Sequence, residues 1–240
     1  MTSRAGTALA AAVLATLALS ACETTQQQSA KIGRELGRQS ADAGTTGIGS
    51  ANHSIRVIAA VLVAGAPAAV AVELRNDGAA QAEVPVGVAV RDAKGAVVYR
   101  NDTKGIESSL QELALVPAGA TVWWVDNEVL ASGGAAARAS AAVGAARAHA
   151  PTVAPDLTAS AVSASGSFPG PHVDLTVHNA GGSTQTQVTV YAVASAHGKI
   201  IGAGRAIVAT LAARADASVE VPMTGSVSAA AVSVTVVGAP

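Results

Sequence analysis

Two tandem antiparallel β-sandwiches, an all-β fold, are what this 240-residue sequence predicts. Three observations carry that expectation. From Asn52 onward the chain is cut into short runs of β-branched residues separated by turn signals, the pattern of strands rather than helices. The same order of runs and turns returns about a hundred residues later. No stretch keeps the 3.6-residue periodicity that crossover helices need, which argues against a parallel sheet.

Val70, Val72 and Leu74 alternate with Ala71 and Glu73, and Asn76, Asp77 and Gly78 close that strand. Residues 84–90 alternate again. Asp92, Ala93, Lys94 and Gly95 then make a hairpin turn into Val97, Val98 and Tyr99, with Gly95 supplying the positive φ such turns need. Pro117, Ala118 and Gly119 precede a further strand at 121–125.

A shift of 103 places Asn76 and Gly78 on Asn179 and Gly181. The same shift sets Lys94 and Gly95 on His197 and Gly198, and Val97 and Val98 on Ile200 and Ile201, with no gap between. Leu115 then falls on Leu211 and Val125 on Val221 at a shift of 96, so seven extra residues are expected within 101–112 of the first copy. The copies span 51–148 and 149–240, each with about seven short strands. Between them, 133–155 is rich in Ala, Gly and Pro. Within it, 134–150 reads as strand, helix or linker: alanine favours helix, while its match to 230–237 favours an edge strand.

A strand ending in Asn-x-Gly, an apolar strand, an Asp-x-x-Gly hairpin, and Leu115, Pro117 and Gly119 before another strand together resemble bacterial Ig-like modules. The FxLYD and CARDB families, found in envelope lipoproteins, are the ones it is similar to. Val88, Val90 and Asp92, and again Tyr191, Val193 and Ser195, stand where the F-x-L-Y-D signature would lie. The resemblance implies Ig-like sandwiches that bind or scaffold and carry no catalytic residues.

The amino terminus has a different character. Arg4 is followed by an uncharged apolar run at 8–19, too short to span a bilayer as a stable helix. Leu19, Ser20, Ala21 and Cys22 end it, and Cys22 is the single cysteine of the sequence. That order resembles the lipobox of bacterial lipoprotein signals. The resemblance implies a signal peptide at 1–21, cleavage between Ala21 and Cys22, and lipidation of Cys22. It also implies a membrane partner through that lipid; with Glu23 rather than Asp next, the outer membrane is expected, periplasmic side, if the cell has two. Residues 22–50 are rich in Gln, Ser, Thr and Gly and read as a flexible tether, a standoff of roughly 30 Å.

Composition narrows the function further. The formal net charge is −1, with no basic stripe, so nucleic acid is not an expected partner. Aromatics are 2% of the chain, so any core is thin and made of Val, Leu, Ile and Ala. No serine-nucleophile elbow, zinc-protease helix motif or phosphate-binding glycine loop is present. No catalytic residue and no cofactor is predicted. His172, Asp174, Thr176 and His178 alternate along one strand and share one face. The two histidines are ~20 Å apart at about 3.3 Å per residue and cannot share an ion. His172 with Asp174 holds one only with ligands from another strand, so the face is read as solvated and no metal site is assigned.

Trp123 and Trp124 point to opposite faces of their strand. At a shift of 96, Trp123 falls on Val219 and Trp124 on Glu220, which sends Trp124 outward as a candidate partner contact. The competing expectation is that the insertion folds over it through Ile106 or Leu110. The function expected is a lipid-anchored, non-catalytic binding or scaffolding protein of the cell envelope, with a protein partner there. An accessory subunit of an export or envelope-biogenesis machine is the alternative, and a hydrolase with an unrecognised site the third reading.

Overall fold

The computed structural model describes residues 48–103, 105–166, 170–228 and 230–238; the signal segment, Ala21, Cys22 and most of the tether lie outside the described residues. The first copy holds β1 (Ile55–Val63), β2 (Ala68–Asn76), β3 (Gln81–Arg91), β4 (Val97–Arg100), β5 (Glu112–Val116), β6 (Thr121–Val129), β7 (Arg138–Val143) and β8 (Ala148–His149). The second holds β9 (Leu157–Ser165), β10 (His172–Asn179), β11 (Gln185–Ala196), β12 (Lys199–Leu211), β13 (Asp216–Gly225) and β14 (Ala231–Val237). Every pairing between these strands is antiparallel. The fold is all-β, as the alternation and turn spacing predict.

In the first copy β1-β2-β6 form one sheet, and β3 is the centre of the other, pairing with β4, β5, β7 and β8. In the second, β9-β10-β13 and β14-β11-β12 repeat the scheme. They are joined because β13 leaves β10 and meets β12 at Gly202, Ala203 and Gly204. That corner needs a bare backbone: a Cβ on Gly204 would sit 2.2 Å from the Pro222 carbonyl oxygen. The ambiguous segment 134–150 resolves as β7 and β8, both laid on β3. Among the described residues no helix is long and apolar enough to cross a membrane.

The outer face of β1-β2-β6 lies on β11, β12 and β14 of the second copy. Tyr191, Val193, Ala203 and Val237 belong to the same buried cluster as Val72, Val88 and Trp124. The Trp123 amide donates to Thr235 Oγ1 at 3.0 Å across the junction. The described residues accordingly all belong to one compact unit. Sheets covered on both faces read as continuous apolar runs, which is why 68–72 and 188–194 are buried residue after residue. Alanine suits the inner layers because it lets them approach closely.

Buried asparagines close both copies in the same way. Asn76 Nδ2 donates to the carbonyls of Ala79, Val116 and Pro117, and Asn179 Nδ2 to those of Ser183, Leu211 and Ala212. The amides of Gly78 and Gly181 return bonds to the asparagine oxygens. Val116 therefore matches Leu211, an offset of 95 (116 to 211), where the sequence alignment sets Leu115 there. The matched left-handed residues Gly119 and Arg214 keep the same offset. β3 and β11 stand 104 apart, as their left-handed residues Glu83 and Gln187 show, while Tyr99 and Gly202 pair with Val90 and Ala194 at 103. The offset falls from 103 to 95, so the first copy carries eight extra residues rather than seven.

Those residues break one strand into two. β12 runs unbroken beside β11, whereas its counterpart in the first copy is β4 followed by β5. Asn101, 1% exposed, repairs the break. Its Oδ1 accepts from the Val88 amide at 2.7 Å, and its Nδ2 donates to the carbonyls of Val86 and Leu110, both at 2.7 Å. The side chain thus supplies the ladder bonds that the interruption removes.

Candidate functional site

The offset of 95 overturns the outward placement of Trp124. Trp124 faces Val72 of β2, while Val219 faces Leu175 of β10, so these two inward positions correspond. Trp124 is 0% exposed and packs in the first copy's core. A fully buried ring has no surface to offer a partner. Of the insertion residues expected to fold over it, Ile106 lines a separate groove with Val97 and Leu130, and Leu110, though buried, lies outside the cluster that holds Trp124. Trp123 takes the other face, half-buried toward the second copy.

The insertion instead frames a cleft of about 560 Å³ at the junction of the copies. Glu107, Ser108 and Ser109 come from the loop and its short 3₁₀ turn, Ser108–Leu110. Glu83 of β3 and Glu112 of β5 add two carboxylates; Tyr191 and Ile207 of the second copy supply apolar wall. Burial pushes the Glu112 carboxyl up; Arg147, 3.4 Å away, opposes this and the Glu83 charge adds to it. Burial also raises the Tyr191 hydroxyl, which keeps its proton.

Arg205 of β12 pins the frame. Its Nη1 donates to Ser109 Oγ at 2.7 Å, and Nη2 lies 3.3 Å from Glu128 and 3.5 Å from Glu107. The guanidinium is buried, so one cation of the second copy faces three oxygen-bearing groups of the first. Nearby, Tyr99 donates to Asp126 Oδ2 at 2.5 Å beneath the same layer. The sequence carried one signal for Arg205: a lone charge inside an apolar strand needs a partner. It held none for which partner, since Ser109 lies 96 residues away.

The cleft lining contains no histidine and no lysine among the described residues. Ser109 Oγ accepts from Arg205 Nη1 at 2.7 Å and donates to the carboxylate of Glu107, which precedes the same short turn, at 3.3 Å. The arrangement sets carboxylate and hydroxyl oxygens above an aromatic and aliphatic wall. On the far side of the second copy, His172, Asp174 and His178 lie on the outer face of β10, as the alternation predicts. His178 Nδ1 pairs with Asp216 Oδ1 at 2.6 Å. Compared with family models, curated proteins and solved structures, the chain matches none.

Proposed function

We propose that this protein is a lipid-anchored, non-catalytic binding module of the cell envelope, built of two Ig-like sandwiches, and that the cleft beside the insertion receives a protein partner. The observation that carries the reading is the insertion itself, the one large departure between the copies, held by Arg205 so that its carboxylate and hydroxyls face a preformed cleft. A partner segment presenting a lysine or arginine fits that chemistry. Its cationic head meets Glu83 and Glu112, and its methylene stem lies along Tyr191 and Ile207. The lipobox resemblance at Leu19 to Cys22 supports a lipid anchor, and the polar composition of 22–50 supports a tether.

Crosslinking and co-purification from membranes test both halves. Glu83→Lys, at the cleft rim, is expected to melt like wild type and recover no partner. Cys22→Ser is expected to leave the membrane fraction. Capture of every wild-type partner by the Glu83→Lys protein would sink the cleft assignment. Unchanged sedimentation of Cys22→Ser with membranes would sink the anchor.

A further inference from the structure

The outer face of the β9-β10-β13 layer carries a cluster of a different chemistry. β13 sets Glu220 directly opposite Asp174 of β10, beside His172. One ligand atom from each of the three lies within 4.8 Å of the others. His172 Nε2 stands 3.4 Å from Asp174 Oδ2. We propose that His172, Asp174 and Glu220 form a binding site for a divalent transition-metal ion of the zinc type.

The histidine is set up as a ligand. Its Nδ1 lies 2.8 Å from the Gly170 carbonyl oxygen, which only accepts, so Nδ1 carries the proton. That bond leaves Nε2 as the ring nitrogen turned toward the carboxylates, the arrangement that backbone carbonyls impose on metal-binding histidines. Two carboxylates directly opposed on neighbouring strands repel, and a cation between them relieves that repulsion. The His172–Asp174 separation of 3.4 Å suits one, since tetrahedral zinc with bonds of about 2.0–2.2 Å holds its ligand atoms roughly 3.3–3.6 Å apart, and Glu220, within 4.8 Å, needs only to swing inward. One imidazole and two carboxylates leave a fourth position for water. The ring is also held in place, its side chain only 12% exposed, while Asp174 is open to solvent at 52%.

The first copy has nothing comparable at these positions. Offsets of 103 and 95 put Ala69, Ala71 and Val125 where the second copy has His172, Asp174 and Glu220. Those three are all 0% exposed, under the second copy. The same sheet face is therefore apolar and covered in one copy, polar and free in the other. This site is independent of the cleft, which lies at the junction.

Zinc titration by calorimetry, on the full chain in detergent with Cys22→Ser to remove the competing thiol, is the test. One zinc per chain is expected at this site. His172→Ala and Glu220→Gln should each weaken it by at least the about 10- to 100-fold that loss of a ligand's own hydrogen-bond partner costs. His178→Ala, which touches the simple His178–Asp216 pair on the same face, should leave it unchanged. All three substitutions are on the solvent face, and metal-free melting checks that each variant folds. Ring ¹⁵N shifts of His172 give a second readout: Nε2 should move on zinc addition while Nδ1 stays protonated. No binding at millimolar zinc, or binding that survives Glu220→Gln or His172→Ala, would overturn the proposal.

Discussion

Arg205 Nη1 lies 2.7 Å from the Ser109 hydroxyl, so a strand of the second copy grips the insertion that only the first copy has. The guanidinium is buried, but its carboxylate partners Glu107 and Glu128 are 67% and 57% exposed. Solvent screening keeps such pairs weak, so the contact matters more for geometry than for global stability. Arg205→Ala should cost only about 1–2 kcal/mol. It should also speed amide hydrogen exchange across 105–111, the segment that frames the cleft. Arg205→Lys should not restore protection, because a single ammonium cannot reach the three groups that the planar fork serves. Unchanged exchange in the alanine variant would mean that the insertion holds its own shape.

Asp126 supplies a pH dependence with a definite sign. It is buried, and burial raises its carboxyl above the usual 3.8; the Tyr99 hydroxyl and the Glu128 amide, which donate to it, pull the other way and lose. Tyr99 is itself raised, first by burial and then by the Asp126 charge, so it stays the proton donor throughout. A carboxyl raised in the folded state holds more protons there than in the unfolded chain. Its contribution is therefore most favourable at low pH and declines as pH climbs from about 3.8 through the raised native value. Asp126→Asn removes that titration. The stability of wild type minus that of the asparagine variant should fall with rising pH across this window and then level off. Urea unfolding of both proteins from acid to neutral pH measures it. A difference that grows with pH would show that the two donated bonds outweigh burial.

Strand order, the two hairpins and the repeat were legible because turn chemistry is local. Gly95 and Gly198 hold φ of 92° and 74°, and Asn76 and Asn179 close matched loops. The register of β6 was not. Leu115 onto Leu211 is an identity match, but what fixes the strand is which carbonyls the buried asparagine reaches, Val116 and Pro117. Both faces of β6 are apolar near Trp124, so alternation gave no warning of a slip by one residue, and such a slip exchanges inside for outside. The face shared by His172 and Asp174 follows from period two alone. Glu220 joins them only through the pairing of β10 with β13, 46 residues along (174 to 220). Likewise, the insertion was visible as a change of offset, but not its grip by Arg205.

Trp124 is where that slip has its largest consequence. The indole is 0% exposed between the sheets, and its Nε1 proton has no acceptor. Trp124→Glu would put a carboxylate into that site without a partner and should destabilise the protein by about 4 kcal/mol or more. Trp124→Phe leaves a small cavity but also deletes the unpaired N–H, so its cost should be only about 1–2 kcal/mol. Because the ring touches no solvent, the phenylalanine protein should recover the same partners from membranes as wild type does. Thermal melting of both variants, with crosslinked pull-down of the second, decides the point. A glutamate variant that melts like wild type, or a well-folded phenylalanine variant that loses its partners, would restore Trp124 to the surface.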